Sequence, residues 1–237
     1  MIGRGTLINC LGIIVGGVFG LLFGKLLKER HQESLQIACG ISTIFIGISG
    51  AMEGMLEIND MSLVAKGSMM LTLCLTIGTL IGEIINIENG FTRFGEWLKV
   101  KTGNSKDREF VNGFVTASLT VCIGAMAIIG SIEDGMTGDY SILATKAILD
   151  FVIIMVMTCS MGKGCIFSAI PVLVLEGGMT IVASFLKPIM SDLALAYISL
   201  VGSVLIFCVG LNLVWGKKVR VANMLPAIIL AILAAFI

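Results

Sequence analysis

The chain has 237 residues, of which 57% are apolar and only 14% are charged, and its Lys+Arg and Asp+Glu counts are both 16. A soluble domain is about 45–50% apolar and about 25% charged. This composition, with a mean hydropathy of +1.02, therefore excludes a water-soluble globule and predicts an integral membrane protein. The zero net charge creates no field that would attract nucleic acid, which is not expected as a partner.

Eight apolar segments follow one another along the chain. A helix needs about 20 mostly apolar residues to cross the bilayer, and none of these segments has the period-two alternation of a membrane barrel. The sequence therefore predicts an all-α fold, a polytopic transmembrane helix bundle of about eight spans forming a single membrane domain over residues 1–237. The predicted spans cover about 6–24, 35–52, 68–85, 113–132, 141–160, 165–186, 194–215 and 221–237.

Glycines recur every four residues in the first span, and a shorter version occurs in the third. Such small-residue stripes let helix backbones approach closely. We interpret them as packing within the bundle, with a subunit interface as the alternative, and we expect a homo-oligomer in the lipid bilayer. The glycines concerned are Gly12, Gly16, Gly20 and Gly24, then Gly78 and Gly82.

Residues 50–53 and 130–133 end two spans in a similar way. Duplicated hairpins of this kind are common in transporters, and a chance match between glycine-rich apolar segments is the alternative.

The connection at about 86–112 is the longest between two predicted spans. Phe91, Phe94 and Leu98 fall at helical spacing, while Arg93 and Glu96 occupy other faces. The pattern predicts an amphipathic helix lying in the cytoplasmic interface; the alternative is a solvated linker.

The distribution of basic residues predicts the orientation. The connections after the first, third, fifth and seventh spans contain 12 Lys and Arg residues, against 3 in the remaining terminal and loop segments. Because cytoplasmic loops are enriched in Lys and Arg, both termini are expected outside the cytoplasm of a bacterial inner membrane. One miscounted span would invalidate the alternation.

Three charged residues lie inside predicted spans, where each costs on the order of 2.5–3.5 kcal/mol on insertion scales. Lys146 and Asp150 are four residues apart in the fifth span and share a helix face. Glu176 lies about halfway along the sixth span, and the short intervening loop makes the two spans antiparallel neighbours. Pro171 and the glycine pair after Glu176 predict an interruption of the sixth span.

These three side chains allow two interpretations. One lysine with two carboxylates leaves a formal charge of −1, which suits a cation or a titrating proton at a polar site near the membrane midplane. The alternative is a structural Lys146–Asp150 pair, with Glu176 protonated in an apolar setting.

Four further polar residues are weaker candidates for ion or substrate binding. Glu133 and Asp134 mark an acidic external helix end, which is either a cation-collecting vestibule or a simple turn. Asn9 and Asn223 are amides in or beside apolar spans, where a hydrogen bond across helices is more common than substrate binding.

Enzyme signals are absent from the sequence. His31 is the only histidine and lies in a charged loop, and we find no phosphate-binding loop or nucleophile elbow. The seven cysteines lie in or beside apolar spans and are expected to be small buried hydrophobes. We expect no catalytic residues, no metal site and no cofactor.

Segments spread over nearly the whole chain resemble the bacterial inner-membrane proteins grouped as domain of unknown function 554. They are Gly-Thr-Leu-Ile-Asn at 5–9 with the glycine stripe that follows, 124–135, Lys-Ala-Ile-Leu-Asp at 146–150, and 221–227. The resemblance implies a polytopic inner-membrane protein and no particular activity. It also implies proline in place of Ala125 and often glutamine near Glu176, which makes Glu176 the least supported member of the polar site.

The residues thus favour a membrane transport protein, a secondary transporter or a channel, for a small ion or solute. The alternative is a non-transporting scaffold or sensor subunit that packs through its glycine stripes. An intramembrane enzyme built on Asp150 and Glu176 is the least favoured hypothesis, because a second aspartate is lacking and a lysine lies nearby.

Overall fold

The computed structural model of the chain describes residues 2–59, 62–123, 125–183 and 191–236. The described residues are helical except for one hairpin and short connections. The helices are α1 (Arg4–Leu26), α2 (Glu29–Met55), α3 (Ser68–Ile85), α4 (Ile87–Lys101), α5 (Phe110–Cys122), α6 (Ala125–Thr137), α7 (Ser141–Met161), a 3-10 helix (Lys163–Ser168), α8 (Ala169–Ile181), α9 (Asp192–Trp215), α10 (Val221–Met224) and α11 (Pro226–Ala234).

Six of the helical segments in the described part of the chain are long and apolar enough to cross a membrane. A seventh crossing is possible if α5 and α6, which are bent by 62° at a short break, form one span. The last apolar segment, α10 with α11, is shorter than the others. The helical membrane fold is therefore confirmed, whereas the expected count of eight spans is not.

Local structure differs from the sequence prediction in three places. Strands β1 (Leu56–Asn59) and β2 (Ser62–Ala65) form an antiparallel hairpin after α2, where only a loop was expected. The fourth predicted span is broken between α5 and α6, which no proline or charge in the sequence announces. The sixth begins as a 3-10 helix and becomes α-helical at Ala169, while Gly177 and Gly178 stay within a continuous helix.

The position of Pro171 in the first turn of α8 explains why this proline does not break the helix. Pro171 is the third residue of that helix, and the first turn of an α-helix is where proline is tolerated, because its fixed φ suits that position. The expected interruption of the sixth span is therefore wrong, because residues 163–181 form one apolar helical span that changes from 3-10 to α geometry at Ala169.

The chain folds into two compact units. The first contains α1, the start of α2, most of α4, α5, the body of α6, α7, the 3-10 helix and α8. The second contains the rest of α2, the hairpin, α3 and α9 to α11.

Helices α1 and α7 form the most extensive contact of the first unit. The glycine stripe of α1 faces the backbone of α7, and a Cβ added to Gly12 would lie 2.8 Å from the carbonyl oxygen of Ala147. Farther along, Gly24 faces Cys159 in the same way. The residue numbers of the contacting positions increase together along α1 and α7, so the two helices run parallel.

Glycines also mediate the close approaches in the second unit. A Cβ on Gly47 of α2 would lie 2.6 Å from the backbone nitrogen of Phe207 in α9, and Gly54 lies against Leu200, so α2 and α9 are antiparallel. Gly78 and Gly82 of α3 pack against the backbone of α11 and α10.

Candidate functional site

Lys146 and Asp150 lie one turn apart on the buried face of α7. Both residues are almost inaccessible, with 6% and 4% of their surface exposed. The Lys146 ammonium donates to Asp150 Oδ2 and also, at 2.8 Å, to the main-chain carbonyl of Val121. Val121 belongs to the last turn of α5, where carbonyl groups have no helical partner and the helix dipole attracts a cation. The break in the fourth span thus frees one of the carbonyl groups that accept a hydrogen bond from Lys146.

Glu176 and Asn9 complete this cluster from two further helices. Both are fully buried. Glu176 Oε1 lies 3.6 Å from Lys146 Nζ and accepts a 2.8 Å hydrogen bond from Asn9 Nδ2. Asn9 projects from the first turns of α1, and Glu176 from the second half of α8. The structure therefore brings together four of the seven predicted site residues, all within the first unit. We call Asn9, Lys146, Asp150 and Glu176 the buried polar site.

Two oxygen atoms of the buried polar site are hydrogen-bond acceptors without a partner among the described residues. They are Glu176 Oε2 and Asn9 Oδ1. With one ammonium and two carboxylates, the site has a formal charge of −1 when both carboxylates are ionised. Oxygen acceptors with net negative charge suit a hard cation or a proton donor, and they do not suit an anion.

Asp134 lies elsewhere and has a different role. Its carboxylate accepts hydrogen bonds from the backbone N–H groups of Gly5 at 2.9 Å and Gly3 at 3.3 Å, and the residue is fully buried. A carboxylate in this position satisfies the free donors at the start of α1 and complements its dipole. The vestibule expected at Glu133 and Asp134 therefore contains a helix cap at Asp134, while Glu133, one position earlier on α6, takes no part in it.

Asn223 belongs to the second unit, whereas the residues of the buried polar site belong to the first. Its Oδ1 accepts a 2.7 Å hydrogen bond from the backbone N–H of Glu88, at the start of α4. The Glu88 carboxylate pairs with Lys217 at 2.5 Å. Asn223 thus connects α10 to the beginning of α4. A hydrogen bond of this kind between two helices was the alternative to a role of Asn223 in substrate binding.

Metal-ligating clusters are not found in the described part of the chain, where no group of three or more His, Cys, Asp or Glu side chains could hold an ion. All seven cysteines are free thiols.

Several polar groups in or near the buried polar site were not predicted from the sequence. The Val121 carbonyl could not be found, because a main-chain acceptor becomes available only where a helix ends. The buried hydroxyls of Thr6, Ser131 and Thr180 were missed as well, since Ser and Thr in apolar spans usually bond within their own helix.

Comparison with known proteins identifies the family. The family model described as "Protein of unknown function (DUF554)" matches residues 4–236. The chain belongs to the DUF554 family. This confirms the resemblance carried by the segments spread along the sequence. The buried polar site is therefore part of a DUF554 membrane protein.

Two curated proteins are similar to this DUF554 chain over nearly their whole length. "Uncharacterized membrane protein YdfK" of Bacillus subtilis (strain 168) is 27% identical over 233 residues, 98% of this chain and 96% of that protein. "Uncharacterized protein YqgA" of Escherichia coli (strain K12) is 31% identical over 231 residues, 96% of this chain and 94% of that protein. No solved structure matches the chain. Together with the apolar helices, these relatives show a multi-pass membrane protein.

Proposed function

We propose that this DUF554 chain is a secondary transporter of a small monovalent cation, in which a proton and the cation alternately neutralise Glu176. The observation that carries the proposal is the buried polar site, whose formal charge of −1 is surrounded by apolar helices. A buried carboxylate without full compensation is unstable unless it binds a proton or a cation. Exchange between these two forms is the elementary step of coupled transport.

Lys146 supports the proposal because it links the two carboxylates. It donates to Asp150 and lies 3.6 Å from Glu176 Oε1, so a change in the charge of Glu176 alters the attraction that holds the ammonium. Its third partner, the Val121 carbonyl, lies at the break between α5 and α6. Occupancy of Glu176 is thereby linked to a helix break, the kind of element that forms ion and substrate sites in transporters.

The test is ion-dependent proton movement in proteoliposomes. Purified protein is reconstituted with a pH-sensitive dye inside, a pH gradient is imposed, and Na⁺, K⁺ and Li⁺ are added in turn. We expect one or more cations to change the internal pH with wild type and to have no effect with Glu176→Gln or Asp150→Asn. Glu83→Gln is the matched control, because Glu83 lies in a spanning helix of the second unit and pairs with Arg220 at 2.9 Å.

Two results would reject the proposal. One is the absence of any cation-dependent pH change with wild type, and the other is equal transport by Glu176→Gln. The first result leaves the Lys146–Asp150 pair as a structural feature, and the second removes Glu176 from the coupling step. Thermal unfolding of each variant, with and without the cation, separates lost binding from lost folding, because a ligand at 100 times its Kd adds about 2.7 kcal/mol of stability.

The scaffold or sensor hypothesis loses one of its supports. The glycine face of α1 is covered by α7 within the same chain, so a partner would have to use a different surface.

The proposed orientation places both termini outside the cytoplasm of a bacterial inner membrane. The excess of basic residues in alternate connections supports this orientation, and the parallel α1 and α7 and the antiparallel α2 and α9 have the relative directions that the predicted alternation of spans requires. Fusions of a periplasm-active phosphatase and a cytoplasm-active fluorescent protein to the carboxyl terminus test this. Phosphatase activity without fluorescence is expected, and the reverse pattern would contradict it.

A further inference from the structure

Four buried hydroxyls in the first unit have no hydrogen-bond partner among the described residues, and three of them lie towards the amino end of α1, whereas the fourth, Thr158, lies beyond Asp150 on α7. Thr6, Ser131 and Thr180 expose 2%, 0% and 4% of their surface, yet none of their hydroxyl oxygens has a hydrogen-bond partner within the described residues. A helical Ser or Thr usually bonds to the carbonyl four residues earlier. Ser118 does so at 2.6 Å and Thr120 at 2.8 Å. Ser131 and Thr180 have a helical carbonyl four residues earlier and do not use it, whereas Thr6 lies too near the start of α1 to have one.

The three hydroxyls lie next to the buried polar site and extend from it in one direction. Thr180 is one turn after Glu176 on the same face of α8. Thr6 is one turn before Asn9 on α1, and its methyl group lies 3.8 Å from a Cβ placed on Gly177. Polar side chains thus follow one another from the buried polar site along the contact between α1 and α8, towards the amino end of α1.

Helix α6 adds further polar side chains near the amino end of α1. Gly135 packs against the backbone of Thr180, and Ser131 lies one turn before Gly135 on the same face. Between them, Asp134 binds the N–H groups of Gly3 and Gly5 that begin α1. Three helices therefore contribute polar groups to one junction.

The distances favour access from this end only. Asn9 lies six residues after Gly3, which is about 9 Å of helix, whereas about 25 Å of α1 separates Asn9 from Leu26. Beyond Asp150 in that second direction, the buried face of α7 continues with Ile154 and Met157, which are 0% and 1% exposed, and the next buried hydroxyl, that of Thr158, comes eight residues after Asp150. The site has polar neighbours on one side and apolar neighbours on the other.

We propose that Thr6, Ser131 and Thr180 line a hydrated half-channel that carries protons or small monovalent cations between Glu176 and the amino end of α1. Buried polar atoms without protein partners are the usual positions of internal water, which needs two to four such groups. The hydroxyls can donate to water and accept from it, so they complete a chain to the free oxygens of Glu176 and Asn9. The cargo rests on the proposed function, whereas the hydration of the path does not.

Cysteine labelling tests the path independently of transport. Thr6→Cys, Ser131→Cys and Thr180→Cys are placed in lipid nanodiscs and treated with a charged, membrane-impermeant methanethiosulfonate. Intact mass is followed against time, with wild type giving the background of the native thiols. Ser118→Cys and Ile154→Cys are the matched controls, because both positions are equally buried but lie outside the path. We expect the three path variants to react at least about tenfold faster than the controls, since a thiolate forms only where water reaches it.

A Thr180→Cys rate equal to that of Ser118→Cys would overturn the half-channel. If the cysteine variants do not fold, Thr180→Val removes the hydroxyl at nearly constant volume, with Thr120→Val as its control. We expect Thr180→Val to slow the cation-dependent pH change about tenfold, which corresponds to about 1.4 kcal/mol in the barrier, and an unchanged rate would count against the path. Fast labelling without any transport would reject the proposed function and retain the path, whereas transport without labelling would reject the path alone.

Discussion

The contact between α1 and α7 gives a quantitative prediction for Gly16→Ala. A Cβ on Gly16 would lie 3.0 Å from the Cα of Phe151 and closer still to its carbonyl oxygen. Backbone atoms cannot rotate away, so the two helices must separate by about 0.5–1 Å. A gap of this size removes a quarter to a half of the dispersion energy of the affected contacts, and overpacking of this kind costs about 1–3 kcal/mol.

A second glycine isolates this steric effect. Gly178 lies in the interior of α8 with no other atom within 4 Å of an added Cβ. Alanine gains about 1 kcal/mol of helix propensity over glycine at either position. The difference between Gly16→Ala and Gly178→Ala should therefore be about 1–3 kcal/mol, entirely from the contact with α7.

Thermal unfolding in detergent, followed by tryptophan fluorescence, measures this difference. For a chain of this size, about 2 kcal/mol corresponds to a decrease of about 4–8 °C in Tm. Gly24→Ala should lie between the two, because its Cβ would be 3.2 Å from Cys159. Equal Tm values for Gly16→Ala and Gly178→Ala would refute the tight parallel packing of α1 on α7.

Three further substitutions test the roles of individual polar groups by the same unfolding measurement. Asp134→Asn should lower stability by about 1 kcal/mol, since the start of α1 loses its negative charge, and Glu133→Gln should change it by less than about 0.5 kcal/mol; equal effects would contradict the cap. Asn223→Ala should lower stability by about 1–2 kcal/mol, because a buried backbone N–H loses its acceptor; an unchanged Tm would remove that role. Lys146→Met should lower stability by about 3–5 kcal/mol, and combining it with Asp150→Leu should restore most of the loss; no restoration would mean that the two charges do not compensate each other.

The helices of this fold could be predicted largely from hydropathy, because a lipid environment requires every backbone polar group to bond within its own helix. The face shared by Lys146 and Asp150 also follows from the sequence, since four residues make about one turn. The helix at Ile87–Lys101 follows from the spacing of its aromatic residues.

The remaining features depend on contacts between distant parts of the chain. The partner of Asn9 is Glu176, 167 residues away, and the partner of Gly5 is Asp134, 129 residues away. No local pattern selects these pairs among several similar apolar helices. The break after α5 also escaped prediction, because this chain has Ala125 where the family resemblance implies proline, and no charge marks the break.

The parallel pairing of α1 and α7 has a consequence for biogenesis. Synthesis proceeds at about 5–20 residues per second, so roughly 6–23 s pass between completion of α1 and the first residue of α7. During that interval the glycine face of α1 has no access to its final neighbour and must be covered by lipid or by the insertion machinery. A nascent chain that stops before residue 141 contains the helix that begins the fold but lacks the surface on which that helix packs.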